Sequence, residues 1–337
     1  MVAADKVRWG VLGAANIAVR KVVPAMQRGE RSEVVAIASR DVEKARAATG
    51  PLGIARAYGS YEELLADPDV EAIYNPLPNH LHVPWTIRAA EAGKHVLCEK
   101  PIALSATEAR ELLAVRERTG VMIGEAFMVR SHPQWIAARE LVTTGRIGQL
   151  RVVAGHFAYS RRDPADVRSR PEWGGGGLMD VGCYPITMAR WLFGEEPEAV
   201  IGIFDRDPEL GVDRIASALL RFPSGQATFT CAMQLVPYQR MQIHGTTGRI
   251  EVEIPFNAQP DRPMRIFVDD GKEFADASAV ALEFPVVDQY TLQADRFSAA
   301  VRGDGPVPVT VEDAIANMAV IDALFRSEGS GAWEAPG

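Results

Sequence analysis

Short hydrophobic runs alternate with segments of helical periodicity through the first third of the chain. VRWGVL is followed by a predicted helix to about Gln27, and EVVAIAS by one that runs through Lys44 to about Ala48. Then come EAIYNP, a helix from Val83 to Ala92, KHVLCE, a helix from Ala106 to Arg118, and GVMIGEAF. Apolar runs bounded by turn residues and interleaved with helices imply parallel strands joined by crossovers. The pattern predicts an α/β domain with a doubly wound parallel sheet over residues 1–125.

Beyond a predicted helix from Pro133 to Thr143 the period changes. ASALLRF and ATFTCAMQL flank Pro223-Ser224-Gly225, YQRMQIHG and RIEVEIPF flank Thr246-Thr247-Gly248, and MRIFVDD and KEFADAS flank Gly271. Alternating strands joined by tight turns read as an antiparallel meander. The segments Tyr290 to Arg302 and Val311 to Arg326 read as helices, and the Gly- and Ser-rich tail from Ser327 is expected to fray. Residues 126–337 are therefore predicted to be an α+β domain with a large open, mostly antiparallel sheet. An extended sheet with one uncovered apolar face needs a cover, and a homodimer through that face is the expected one.

Composition narrows the partners. A chain of 337 residues is long enough for two cores, and 47% hydrophobic with 24% charged residues is an ordinary globular balance. The net charge of -8 argues against nucleic acid, whose binders cluster Lys and Arg. Cys98, Cys183 and Cys231 form no CxxC pair, which supports neither a disulfide framework nor a thiolate metal site. Charged residues interrupt the N-terminus where an export signal needs an apolar run, and no stretch reaches membrane-spanning length. A soluble, cytoplasmic protein acting on small molecules is expected.

Directly after the first predicted strand stands Gly13-Ala14-Ala15-Asn16-Ile17-Ala18, a G-x-G-x-x-G pattern with alanine at its second and third glycine positions. The first glycine makes a tight turn, and the helix that follows presents free N–H groups and its positive dipole end to a pyrophosphate. In this context Gly13, Ala15, Asn16 and Ile17 are candidate dinucleotide contacts on a Rossmann-type sheet. Dinucleotide enzymes that prefer the unphosphorylated cofactor usually end the second strand in a carboxylate. Here it ends in Ser39-Arg40, with Lys44 one turn later, which suits a 2′-phosphate and favours NADP. The bland alternative is that Arg40 and Lys44 are solvated surface cations.

The strand KHVLCE runs into Glu99-Lys100-Pro101, at the carboxyl end where open parallel sheets place ligands. With the glycine loop before it and Gly174-Gly175-Gly176-Gly177-Leu178-Met179-Asp180-Val181-Gly182-Cys183-Tyr184 after it, the chain resembles the glucose-fructose oxidoreductase and inositol dehydrogenase (Gfo/Idh/MocA) family. The resemblance extends over essentially the whole length, including AEAGKHVLCEKPIAL and the HGTTG turn. It implies that Lys100 lies beside the nicotinamide and the reacting carbon, that Pro101 is cis, and that Pro76, Asn79, His82 and Glu99 border the cofactor. The family commonly carries Asp-x-x-x-His where this chain has Asp180-x-x-x-Tyr184. That departure resembles the branch of dimeric dihydrodiol dehydrogenases and NADP-dependent D-xylose dehydrogenases, and it counts against an inositol dehydrogenase. The implied activity is hydride transfer between NADP and C1 of an aldose or related cyclic polyol, with a carbohydrate as the partner. A trans-dihydrodiol dehydrogenase or a reductase of dicarbonyls and anhydroketoses would use the same residues, and a non-catalytic NADP-binding sensor is the reading from another class.

Oxidising a hydroxyl requires a base for its proton while hydride leaves the carbon, and a phenol can serve if neighbouring positive charge lowers its pKa. Lys100, Tyr184 and Asp180 are thus the candidate catalytic residues; if the segment is helical, Asp180 and Tyr184 share a face, with Pro185 a potential kink. Arg130 and Tyr159 are candidate substrate contacts, as are Arg161 and Arg162, and a structural role competes for each. Trp173 has stacking on a sugar and core packing as its two readings. His80-x-His82 lacks the partners of a metal site, so no metal is expected.

Overall fold

Five of the six residues of Val7–Leu12 (β1) are buried, as a strand at the centre of a sheet covered on both faces requires. In the computed structural model, which describes residues 6–273 and 277–337, β1 lies among Ser32–Ala38 (β2), Arg56–Tyr58 (β3), Ala72–Asn75 (β4), His95–Cys98 (β5) and Ile123–Glu125 (β6). The order is β3-β2-β1-β4-β5-β6 and every pairing is parallel. The strand order reverses beside β1, and open sheets bind ligands at such a point, outside the carboxyl ends of the strands.

The crossover helices begin at side-chain caps. Asp41 accepts from the Glu43 N–H at the start of Val42–Leu52, Ser60 from Glu63 at Tyr61–Leu65, and Ser105 from Glu108 at Ala106–Thr119. Residues 16–27 form one helix whose middle, Ala18–Val22, is a π turn. The first helix and five of the six strands lie where the hydrophobic pattern put them; the three-residue edge strand β3 carries no such run.

The chain divides into two compact units, and the first is discontinuous. It comprises the chain up to Ser131 together with Asp288–Ile315, whereas the sequence reading divided the chain at 125/126 and gave everything later to the second domain. The returning helix Gln289–Val301 completes the core: Phe297 packs 5.5 Å from the Trp9 ring, and Ser298 accepts from the Trp9 indole N–H at 3.1 Å. Arg302 closes on Glu71 at 2.9 Å, and Arg28 on Asp288 at 2.7 Å. Nothing in the local period of residues 289–301 says which core its apolar face joins.

The second unit, His132–Val287 and Ala316–Gly337, is built on an eight-stranded sheet. Its strands are Leu150–Ser160 (β7), Ala199–Arg206 (β8), Asp213–Arg221 (β9), Gln226–Ala232 (β10), Gln234–Gly245 (β11), Arg249–Val252 (β12), Met264–Asp269 (β13) and Val280–Phe284 (β14). The order β14-β13-β12-β11-β7-β10-β9-β8 departs from a simple meander. β10 and β11 follow each other in sequence, yet β7 lies between them, parallel to β10 and antiparallel to β11. Met233 carries the chain past the end of β7, accepting from the Arg161 N–H and donating to the Arg214 carbonyl. Of the expected strand KEFADAS, residues 274–276 lie outside the described residues, and the strand that pairs with β13 is β14.

The tail expected to fray is docked. The last helix runs Val311–Ser330, the buried Ser327 hydroxyl accepts from Gly202 N–H at 3.2 Å, and Glu334 pairs with Val200. Among the described residues no helix is long and apolar enough to cross a membrane.

Candidate active site

Gly13 leaves β1 at φ +89°, a conformation that disfavours any side chain, and a Cβ there would lie 3.2 Å from Leu77 Cδ2. Its N–H donates to Ala38 at the end of β2, and Val19 N–H donates to Ala15, which opens the helix at residue 16. The amides of that first turn point out of the helix at its positive end. Ala15 and Ile17 are half-buried and pack partly on the core, while Asn16 is exposed. A tight turn with small residues, opening onto a helix N-terminus, fits a dinucleotide pyrophosphate.

At the carboxyl end of β2, Ser39 is buried and accepts from the Asp41 N–H, so its hydroxyl shapes the turn. Arg40 and Lys44 are exposed there. Arg40 reaches the Tyr61 hydroxyl, whose pKa is raised by burial and drawn back by that guanidinium. The Tyr61 oxygen also lies 3.7 Å from where a Gly13 Cβ would stand, so the cation sits beside the glycine turn. This edge fits an extra phosphate on a ribose better than a bare diol.

The loops after β4 and β5 form a second part. The Lys100-Pro101 peptide is cis. Pro76 is buried, and Asn79 opens the short turn Asn79–Leu81 before the helix His82–Glu91. Glu99 accepts from the Tyr74 hydroxyl at 2.7 Å, a phenol that burial and the neighbouring carboxylate hold protonated. His82, assigned from the resemblance to the cofactor border, is 1% exposed, with Nδ1 2.7 Å from the Pro101 carbonyl and Nε2 2.7 Å from that of Leu77. Its ring is a brace between two loops, which leaves neither nitrogen for a ligand or a metal. Arg130 forms an ion pair with Asp313 at 2.8 Å, and its side chain is largely buried.

In the second unit the glycine run ends against a buried carboxylate. Gly176 has φ +112°, and a Cβ there would stand 2.0 Å from Asp213 Oδ1. Asp213 Oδ2 accepts from Leu178 N–H at 2.6 Å, anchoring the π turn Leu178–Gly182 that carries Asp180 into the helix Cys183–Phe193. Burial pushes the Asp213 carboxyl up to about 7, against the pull of the Leu178 N–H and of Arg206. Pro185 has no N–H to return to the helix ladder, and the π turn ends at Gly182, with Cys183 and Tyr184 between the two; such bulges are frequent at functional sites.

Asp180 Oδ2 accepts from the Tyr159 hydroxyl at 2.7 Å and from Arg168 Nε at 2.8 Å. Burial first, then Asp180, holds the Tyr159 phenol far above its ordinary pKa, so Tyr159 is a donor here and no base. Tyr184 is 5% exposed, with its ring packed 5.6 Å from Phe157 and 5.4 Å from Phe256. The structure thus brings Tyr159, a candidate substrate contact, onto the candidate catalytic Asp180, a pairing that the sequence does not show, and adds Arg168 and Asp213. Arg161 and Arg162 are exposed and paired with Asp166 and Asp207. The Arg170 guanidinium lies over the half-buried Trp173 ring at 5.1 Å.

Residues 7–127 match the family model described as oxidoreductase family, NAD-binding Rossmann fold, and residues 135–251 match the GFO/IDH/MocA C-terminal domain. An uncharacterized oxidoreductase of Rhizobium meliloti is 50% identical, over 98% of this chain and 99% of its own length. A D-xylose 1-dehydrogenase (NADP(+)) of Haloferax volcanii is 38% identical, over 96% of this chain and 98% of its own. Among solved structures, the 3-ketoreductase KijD10 of Actinomadura kijaniata, in complex with NADP and TDP-benzene, superposes with a TM-score of 0.88 at 31% identity, covering 96% of this chain and 98% of that one. The two matched segments take in both the glycine loop of the first unit and the Asp180 turn of the second, and the chain belongs to the GFO/IDH/MocA oxidoreductase family.

Proposed function

We propose that this protein is an NADP-dependent oxidoreductase that moves hydride between the cofactor and C1 of an aldose or a related cyclic polyol, turning sugar into lactone. The observation that carries this reading is a lysine on a braced turn at the carboxyl end of β5, in a chain whose second domain carries Tyr184 four residues after an Asp180 engaged by Tyr159 and Arg168. Gly13, Ala15, Asn16 and Ile17 would hold the pyrophosphate, Ser39, Arg40 and Lys44 the 2′-phosphate, and Pro76, Asn79 and Glu99 the nicotinamide side. When bound, NADP supplies the hydride acceptor. Lys100 holds the substrate hydroxyl and lends positive charge, and Tyr184 takes the proton. Tyr159 and Arg168 both donate to Asp180 and hold that carboxylate in place at the substrate edge.

Of the named relatives, the D-xylose 1-dehydrogenase supports oxidation at C1, and the 3-ketoreductase marks reduction of a ketosugar as the neighbouring specificity. The deciding experiment is to purify the protein without added cofactor, record the nicotinamide absorbance, and then offer aldoses, ketoses, trans-dihydrodiols and nucleotide-linked ketosugars. Oxidation of aldoses coupled to NADP reduction is expected. Turnover confined to ketosugars or diols would assign the neighbouring specificity, and tight NADP binding without turnover of any substrate would make the protein a nicotinamide sensor.

The cofactor assignment is tested separately. Arg40→Ala is expected to weaken NADP binding by about 1.5–3 kcal/mol, the range for a hydrogen bond to a charged group, and to leave NAD binding nearly unchanged. Equal losses for the two cofactors would remove Arg40 from the 2′-phosphate site.

We also propose a homodimer through the large sheet. Ile203 and Val236 are 79% and 77% exposed, and Leu219, Tyr238, Val280 and Leu282 add further exposed apolar surface on its strands. Sedimentation should give twice the chain mass at micromolar concentration, and a monomer there would end the proposal. The three cysteines are buried free thiols, which suits a reducing compartment, and the cytoplasm is the proposed location.

A further inference from the structure

The Lys100 turn is gripped from beneath by side chains that no substrate needs to touch. His82 Nδ1 stands 2.7 Å from the Pro101 carbonyl, one residue beyond Lys100, and Nε2 stands 2.7 Å from the Leu77 carbonyl in the loop after β4. On the other side of the same turn, Glu125 Oε1 at the end of β6 accepts from Ile102 N–H at 2.8 Å. Asn75 ties the arrangement together: its Nδ2 donates to the His82 carbonyl at 3.1 Å and to Thr86 Oγ1 at 3.2 Å, and its own carbonyl accepts from Glu99 N–H at 3.0 Å. The ends of three neighbouring strands are thereby locked to one another around Lys100.

We propose that His82 is the positioning residue of Lys100: its Nδ1–H donates to the Pro101 carbonyl and, opposite Glu125, fixes the turn from which the ammonium projects. Burial, with the Lys100 ammonium a smaller contributor, pushes the His82 pKa down to about 4, so the ring is neutral near pH 7 and carries a single N–H. One carbonyl therefore receives a hydrogen bond, and the other faces a nitrogen lone pair. Donation to Pro101 secures the Lys100 turn, whereas donation to Leu77 would secure only the loop after β4. Misplacing a reacting group by about 1 Å costs on the order of 10²-fold in rate, which is what loss of this bond puts at stake.

The inference rests on the proposed role of Lys100, and the test separates the two. In Asn the amide nitrogen stands close to where His has Nδ1, and in Gln it reaches toward the position of Nε2. His82→Asn is expected to keep kcat within about threefold of wild type, and His82→Gln and His82→Phe to lower it roughly 10- to 100-fold. The dissociation constant for NADP, measured by fluorescence quenching, should move less than about threefold in all three. Hydrogen exchange at the Ile102 and Leu104 amides should quicken in the Gln and Phe variants and stay slow in the Asn variant. If the Phe variant does not fold, the two amide variants carry the comparison. Placing His82→Gln on Lys100→Met should cost no further kcat, because the positioned group is already gone.

An Asn variant as impaired as Gln, or an additive loss in the double variant, would overturn the positioning role while leaving Lys100 catalytic. A loss confined to NADP affinity would make His82 a cofactor-loop residue. A harmless Lys100→Met would overturn the parent reading and this one with it.

Discussion

Tyr184→Phe is expected to lower kcat roughly 10²- to 10⁴-fold, the usual contribution of a general acid-base group, with NADP affinity preserved. The substitution removes one oxygen and keeps the ring, so the packing against Phe157 and Phe256 survives and the melting temperature should change little. Activity in the oxidative direction should rise toward alkaline pH as the phenol loses its proton. That limb should vanish in the Phe variant. Near wild-type turnover with an unchanged limb would transfer the proton to another group, and the structure narrows the choice. Tyr159 is held protonated by burial and Asp180, and both ring nitrogens of His82 stand against backbone carbonyls and away from any substrate. His80 and Asp180 would then be the residues to test.

A loss at least as large is expected from Lys100→Met, which keeps the unbranched apolar stem and removes the ammonium. Two effects are lost together: the hydroxyl of the substrate is no longer held, and the phenol no longer has a cation to lower its pKa. The alkaline limb should therefore shift upward in whatever activity remains. Lys100→Arg restores the charge with a planar fork of different shape, so it should recover the position of the limb more fully than the rate. A Lys100→Met enzyme within about tenfold of wild type would remove the lysine from the proton chemistry altogether.

The parts of this architecture that depend on local sequence were legible before the fold. Pro133–Thr143 is a helix with the bounds that its Pro start and apolar period gave it. Gly13 stands at φ +89° in the first strand-to-helix turn, where the glycine pattern located it. Lys100 sits at the carboxyl end of β5 because the alternation of strands and helices already determined which end of the run faces the ligand side. Arg168 and Asp213 were illegible for one shared reason. Each reaches its partner from an element far along the chain, across 12 residues in one case and 35 in the other, and no periodicity links such positions. His82 carried a signal, but the residues that give it its role are two backbone carbonyls, which have no letter in a sequence. β7 likewise shows ordinary strand alternation, which says nothing about its place between β10 and β11.

The return of Asp288–Ile315 to the first unit bears on the order in which the protein can be made. A ribosome delivers the six parallel strands early, yet the groups that satisfy the Trp9 indole and cover its ring, Ser298 and Phe297, emerge more than half a chain later. Until then a nascent first domain exposes that apolar surface, while the second domain, inserted in the middle, has all but its last residues available. A fragment ending at Ser131 would remain in this condition permanently, so a truncated Rossmann half should bind cofactor poorly and aggregate. The early strands and the helix Gln289–Val301 are thus joined in one folding event, although the whole first segment of the second unit is made between them.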